Sequence, residues 1–436
     1  MLFINIERPP KNIYPMKKSL LFLLLFCISF SHCGQVLSPS IKPHPSIDNQ
    51  RLAYVDTVLK QYVDKNWLTG AVTIVIKDNQ VVHYKGHGYA DLASKKPMPA
   101  DAIFRIMSQT KGITSVGIMQ LYEKGKFSLD QSIGDFIPEF KKPKVIQDYN
   151  PADTSFTFIN AKREITFRDL LTHSSGLGYA DIGSDRMKAI YAKAGVPSGL
   201  GTFQANLLEK MKILGKLPLE HQPGEKFTYG LNTDLLGCLI EVISGQNLEE
   251  YLQKNIFDPL GMKDTYFNVP AEKASRLPGV YTEDAQKNII AWAPTFRNIN
   301  PNYPLDKKSY FSGGAGLSST AFDYAIFLQM LLNGGKYNGK QILGRRTVEL
   351  MTSPQLDFIK EGADNFGLGF SITSERSSHL HGRNKGSFNW GGYYGTTYWA
   401  DPKENMICLI MTQHSPNSHG DYSRKVENII YSSLLR

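Results

Sequence analysis

The sequence predicts an α+β fold: one antiparallel sheet flanked by helices (an α/β/α sandwich), assembled from both ends of the chain, with a helical lobe inserted between. Three observations predict it. Strand-patterned runs joined by turns occupy residues 71–84 and return at 366–411, while the stretch between them reads mostly as helices. Hydrophobic residues make up 42% and charged residues 20% of the chain, the balance of a globular protein with a sizeable core. The chain has 436 residues, yet no internal repeat and no independent boundary divides it, so residues 50–436 are expected to form a single domain.

The N-terminus carries its own signal. Met16-Lys17-Lys18 precedes the apolar run Leu20–Ile28, which ends in the small or polar residues Ser29, Ser31 and Gly34. A basic start, a short apolar stretch and small residues are the pattern of a secretory signal peptide, expected here over residues 1–34 with Met16 as the true start. The protein is therefore expected to be exported, periplasmic or secreted. Cys33-Gly34 offers a lipidation site that would anchor the chain to the outer membrane, although His32 stands where a small residue is expected. Residues 35–49, with Ser38-Pro39-Ser40 and Lys42-Pro43-His44-Pro45-Ser46, read as a linker. Nothing after residue 40 approaches eighteen consecutive apolar residues, so no internal membrane span is predicted.

The elements follow in order. Leu52, Val55, Leu59, Tyr62 and Val63 recur at helical spacing, predicting a helix over 50–66. Ala71–Ile76, the turn Lys77-Asp78-Asn79-Gln80 and Val81–Tyr84 read as a hairpin. An amphipathic helix is expected from Ser108 to about Lys124. Further helices are expected at Phe167–His173, Thr202–Leu214, Leu235–Ile243, Leu248–Ile256 and Lys425–Leu435. Gly367–Ile372, Gly395–Ala400 and Met406–Met411 read as strands, the last two joined by the turn Asp401–Asn405. Cys238 and Cys408 lie in apolar runs and are expected in the core, unpaired.

The formal net charge is +9, but the basic residues are dispersed and the densest groups, Lys141-Lys142-Pro143-Lys144 and Arg383 with Lys385, lack interleaved aromatics; no nucleic-acid partner is expected. No His-Glu-x-x-His, paired Cys-x-x-Cys, phosphate-binding loop or dinucleotide fingerprint occurs, so neither a metal site nor a cofactor is expected.

The chemistry is expected around Ser108-Gln109-Thr110-Lys111. Helical residues three apart share a face, so the Lys111 amine can lie beside the Ser108 hydroxyl. A serine hydroxyl is a weak nucleophile until a neighbouring base activates it. The N-terminal end of a helix also favours negative charge formed there. Four other stretches accompany this one: Leu170–Leu177 around His173-Ser174-Ser175-Gly176, Pro223–Gly237 around Tyr229, Gly313–Thr320, and Phe388–Thr396 with Trp390-Gly391-Gly392. No Gly-x-Ser-x-Gly elbow surrounds Ser174 or Ser175, so the His173 block is expected to hold a loop near the site, not to supply a base.

In the order and spacing of these five blocks, over about residues 50–430, the chain resembles the serine β-lactamase and penicillin-binding-protein superfamily. It is most similar to the branch of class C β-lactamases, D-stereospecific peptidases and family VIII carboxylesterases, the esterases above all. The resemblance implies a β-lactamase/transpeptidase-like fold and a serine acyl-enzyme, with Ser108 acylated, Lys111 beside it, and Tyr229 exchanging protons. A phenol titrates near ~10, so the tyrosine needs a cation such as Lys111 beside it to serve as a base. It also implies an oxyanion hole from the backbone N–H groups of Ser108 and Tyr393, and substrate contacts from Trp390, Gly391, Gly392, Leu231 and Asn232.

Two blocks depart from the pattern. Tyr-x-Asn becomes Tyr229-Gly230-Leu231, with Asn232 one place late, and Lys-Thr-Gly becomes Trp390-Gly391-Gly392, without a cation. Both changes replace polar recognition of an anionic acylamide by apolar surface. A small neutral ester is the expected substrate, and amides and β-lactams are the alternatives. His381, Arg383 and Lys385 are the candidates to restore the lost charge. A D-stereospecific peptidase, a class-C-like β-lactamase and a non-catalytic cell-wall sensor are the rival functions.

Overall fold

The computed structural model describes residues 36–199, 204–296, 299–360 and 362–435. The signal-peptide expectation over 1–34, with Cys33, lies outside them. Eight strands form the main sheet: β1 (Gly70–Lys77), β2 (Gln80–Asp91), β3 (Lys96–Pro97), β4 (Asn365–Phe366), β5 (Ser371–Ile372), β6 (Phe388–Gly391), β7 (Thr397–Asp401) and β8 (Met406–Met411). Their order is β4-β5-β6-β7-β8-β1-β2-β3, every neighbour antiparallel. The two ends of the chain meet where β8 pairs with β1, Val72 opposite Met411 through Lys77 opposite Met406.

Every residue of β1 is buried, because both faces of the sheet are covered. Val72, Ile74 and Ile76 face the larger core, shared with α2 (Thr110–Glu123), α3 (Asn232–Ser244) and α4 (Ala321–Leu332). Ala71 and Val75 face a smaller core under α1 (Tyr54–Asp64) and α5 (Tyr422–Ser432). Each large side chain so buried contributes about 1.5–3 kcal/mol. The layers are thus helix, sheet, helix, with the expected helical lobe between β3 and β4.

Several local expectations are corrected. The helix after Ser108 is not amphipathic: Thr110 through Leu121 are all buried. Small residues make this fit, since a Cβ on Gly117 would press on Ile240 and Leu252 at 3.2 and 3.0 Å, and one on Gly112 would meet Phe370 at 3.0 Å. β2 runs to Asp91, seven residues beyond the expected end at Tyr84. The run Gly367–Ile372 is not one strand; Gly369, at φ 98°, turns the chain against Ser115 and leaves the short β4 and β5 on either side. The Asp78–Asn79 turn takes φ of 51° and 62°, the left-handed pair that suits a tight hairpin. Cys238 and Cys408 are buried free thiols.

Candidate active site

Ser108 sits on a single 3-10 turn, Met107–Gln109, immediately before α2. Residues on both sides of it are clamped. Phe104 and Arg105 pair with Ser319 and Ser318, Ile106 N–H donates to Leu317 O (3.1 Å), and Tyr324 Oη donates to Gln109 O (2.8 Å). Met107 is held at φ 48°, a left-handed conformation unusual for a side-chain-bearing residue. This bend leaves Ser108 partly exposed between two buried neighbours.

Two groups converge on the Ser108 hydroxyl. Tyr229 Oη donates to Ser108 Oγ at 2.6 Å and Lys111 Nζ donates to it at 3.2 Å. Lys111 is buried and uses its remaining donors on Tyr179 Oη (2.8 Å) and Gly314 O (2.7 Å). An ammonium has three protons, so the charged form is fully satisfied by this set. The Lys111 nitrogen also lies 4.6 Å from the centre of the Tyr229 ring. Asp234, wholly buried on α3, faces the same region; burial pushes its carboxyl pKa up, while Ser312, Lys111, Gly314 and Tyr310 pull it back.

Glycines allow this crowding. A side chain on Gly314 would strike the Asp234 carboxylate, and one on Gly313 would meet Thr233 O at 2.5 Å. The Gly313–Thr320 block therefore brings a bare backbone carbonyl against the Lys111 ammonium.

Tyr179 is the site residue that the sequence reading missed. It lies just past the Leu170–Leu177 block, and its ring centre is 5.3 Å from that of Tyr229. Leu231 N–H donates to Gly178 O (3.1 Å) and Gly230 leaves no room for a Cβ against Leu177 O, so the two tyrosine loops lie side by side. Burial, then Tyr229 and Asp234, push the Tyr179 phenol well above its ordinary pKa, so it stays a neutral partner for the ammonium.

His173 is buried, and burial followed by the Lys111 charge holds its imidazole well below the ordinary pKa. It makes no bond to Ser108. Its carbonyl accepts from Thr228 N–H (2.7 Å) and its Nδ1 meets Asn232 Nδ2 at 2.9 Å, which fixes the loop carrying Tyr229. Asn232 is held further by Ser175 Oγ, which donates to its Oδ1 at 2.5 Å.

The expectation that Leu231 and Asn232 contact substrate is thus corrected. Both are completely buried, Leu231 in the core and Asn232 in the loop's internal hydrogen bonds. The one-place shift from Tyr-x-Asn moves the amide from the cleft to the scaffold. The cleft, of about 280 Å³, is lined by Ser108, Tyr179, Tyr229, Trp390, Gly391 and Tyr393, with Asp181, Ile182, Ser198 and Ala315. Trp390 packs edge-on against Phe366 (5.2 Å between ring centres) and lies 5.7 Å from the Tyr229 ring. Gly392 sits where a side chain would strike Ile106 O and Thr396 Oγ1, which brings the end of β6 against the turn bearing Ser108.

Two of the candidate replacement cations are engaged elsewhere, and His381 does not line the cleft. Arg383 pairs with Glu427 (2.7 Å) and lies over the Trp399 ring (4.8 Å), and Lys385 pairs with Glu375 (3.0 Å). Among the described residues lining the cleft there is no lysine, arginine or histidine.

A Ser-x-x-Lys pair with a buried lysine, a tyrosine on the serine oxygen and a glycine-rich strand end beside them define a serine hydrolase site on a β-lactamase-like scaffold. The chain belongs to the beta-lactamase family, whose profile matches residues 55–429. It is 32% identical to an uncharacterized protein of Mycobacterium tuberculosis, MT1414, over 84% of this chain and 91% of the relative. It is 28% identical to a putative D-alanyl-D-alanine carboxypeptidase of Escherichia coli K12, over 96% of each, and 26% identical to esterase EstB of Burkholderia gladioli, over 84% of this chain and 92% of EstB. Among solved structures it is similar to EstCE1, a hydrolase with promiscuous acyltransferase activity, with a TM-score of 0.76 and 25% identity over 88% of this chain and 99% of that one. The α+β fold with its large antiparallel sheet agrees with these neighbours.

Proposed function

We propose that this protein is an exported serine hydrolase that cleaves small neutral esters through an acyl-enzyme on Ser108. The observation that carries the reading is the pairing of the Ser108–Lys111–Tyr229 cluster with an aromatic cleft whose described lining holds no cation. Ser108 Oγ attacks the ester carbonyl as its proton crosses the 2.6 Å bond to the Tyr229 oxygen, where the Lys111 ammonium stabilises the negative charge that this oxygen must carry beforehand. The tetrahedral oxygen is stabilised by the backbone N–H groups of Ser108 and Tyr393. Tyr229 then returns the proton to the departing alcohol. Water then attacks the acyl carbonyl and gives its proton to Tyr229, which passes it to Ser108 Oγ as the acid leaves. Export rests on the basic and apolar pattern at Met16–Ile28.

A second reading, a D-amino-acid peptidase, is supported by the similarity to the putative carboxypeptidase over nearly the whole chain. Turnover of a short-chain p-nitrophenyl ester, a D-alanyl-D-alanine peptide and a chromogenic cephalosporin, measured side by side, separates the readings. Ester turnover at least about a hundredfold above the other two, abolished by Ser108→Ala, is expected. Faster peptide cleavage would replace the ester reading by the second one, and full ester turnover by Ser108→Ala would remove both.

A further inference from the structure

The far face of the sheet carries a second polar cluster. β1 alternates its side chains, so Thr73 points away from Val72 and Ile74, toward α1. On β2, His83, Lys85 and His87 alternate onto that same face, with Lys85 directly opposite Thr73. Asp56, in the first turn of α1, closes the group from above. Both histidines are buried.

We propose that His83, His87 and Asp56, with the Thr73 hydroxyl, form a structural site for one zinc-class divalent metal ion that ties α1 to β2. Both imidazoles turn the same nitrogen inward: His83 Nε2 and His87 Nε2 lie 2.6 and 3.0 Å from Thr73 Oγ1. The Asp56 Oδ1 atom is 4.0 Å from the first and 3.8 Å from the second. One ligand atom from each of the three residues lies within 4.8 Å of the others.

Hydrogen bonding alone does not satisfy this set. The hydroxyl can donate to one imidazole and accept from the other, but the buried Asp56 Oδ1 then has no donor among the described residues. A buried carboxylate oxygen left this way is costly. Its partner oxygen is committed, because Lys85 Nζ donates to Asp56 Oδ2 at 2.6 Å, and this bond aims Oδ1 at the histidines. A cation bound by both nitrogens and by Oδ1 would satisfy all three at once.

The geometry is near what such an ion needs. Tetrahedral zinc with bonds of about 2.0–2.1 Å spaces its ligand atoms about 3.3–3.4 Å apart. The Asp56–histidine separations need to close by about half an ångström, and the histidines need to ease off the hydroxyl by a similar amount. Two imidazoles with one carboxylate select zinc-class ions over magnesium or calcium, which prefer all-oxygen sites. Lys85 is half exposed, so its charge is screened by solvent. The ion would have no part in the reaction at Ser108, which lies on the opposite face of the sheet.

The test uses the full chain without an affinity tag, stripped with chelator and titrated with zinc and cobalt(II) under equilibrium dialysis. One ion per chain is expected, with visible absorption from the cobalt(II) form and an upward shift in Tm on adding zinc. Asp56→Asn, which keeps size and shape, and His87→Gln are each expected to weaken binding by about 10–100-fold or more and to abolish the Tm shift. Circular dichroism checks that both variants fold. No stoichiometric zinc in the wild-type chain, or one ion per chain that survives both substitutions, overturns the proposal.

Discussion

The two walls of the cleft around Ser108 differ in how their atoms are held. On one wall Tyr229 and Lys111 each bond to Ser108 Oγ, and Lys111 bonds to Tyr179 and Gly314, over 2.6–3.2 Å, with Asp234 buried behind them. On the other, Trp390 meets Phe366 and Tyr229 through rings alone, at 5.2 and 5.7 Å between centres. The first wall is directional, and losing one partner leaves a buried charge or hydroxyl unpaired. The second is tolerant, because apolar packing follows area and shape more than angle. In the proposed reaction, proton handling falls to the rigid wall and substrate preference to the soft one.

The sharpest way to break this contrast is to remove the proposed proton carrier or the cation that stabilises it. Tyr229→Phe and Lys111→Ala should each lower kcat for an ester by about 10²–10⁴-fold, the usual worth of a positioned acid–base group. The double variant should be little worse than either single one, because the two serve the same proton-transfer step; steady-state kinetics on all three checks this. Losses that multiplied in the double variant would mean that the residues act independently.

Gly392→Ala tests the hinge between the walls. Its Cβ would collide with Ile106 O and Thr396 Oγ1, so either β6 or the Ser108 turn must shift. We expect kcat to fall by about 10–100-fold, as donors at the oxyanion position move out of line. Stability should fall by about 1–3 kcal/mol, as for overpacking, measured by denaturant titration.

These contrasts also mark what was legible in the sequence. Hairpin patterning exposed the sheet because β1 and β8 are short apolar runs bounded by turns. Ser108, Lys111 and Tyr229 were legible because their spacing lies within recognisable blocks, and the structure brings all three within hydrogen-bonding distance. Tyr179 was not, since it meets Lys111 across 68 residues of chain and no local pattern records that contact. Leu231 and Asn232 were misplaced because alignment to a motif reports sequence position and not which way the first turn of α3 rolls. The amphipathic reading of α2 failed because glycines inside the helix, not polar residues, accommodate its neighbours. The His83–His87 pair escaped notice because metal signatures are read at helical spacing, whereas four residues along a strand also share a face.

Within the rigid wall, Tyr179→Phe should have a smaller effect than loss of Tyr229. It removes one of three acceptors around the Lys111 ammonium and leaves those on Ser108 and Gly314. We expect kcat to fall about tenfold, near the lower end for a bond to a charged group, with KM nearly unchanged. A loss as large as that of Tyr229→Phe would make Tyr179 a proton carrier in its own right.

The smallest effect is expected on the soft wall, and reading it requires a ratio. Trp390→Lys places a cation where the resemblance expects one, but it also removes the ring packed on Phe366 and Tyr229. Packing loss should lower kcat/KM for all esters, so absolute rates alone do not report on charge. Two esters that share an acyl group and differ only by a carboxylate on the alcohol cancel that loss. The kcat/KM ratio of anionic to neutral ester should rise by up to about fivefold, since a partly exposed ion pair is worth at most ~1 kcal/mol. Trp390→Ala, which loses the same packing without adding charge, should leave the ratio near the wild-type value. The rise should also shrink as salt is added, as screening of an exposed pair requires. An equal rise in Trp390→Ala would mean that the indole excludes anionic substrates by bulk, and the soft wall would then select by shape instead of charge.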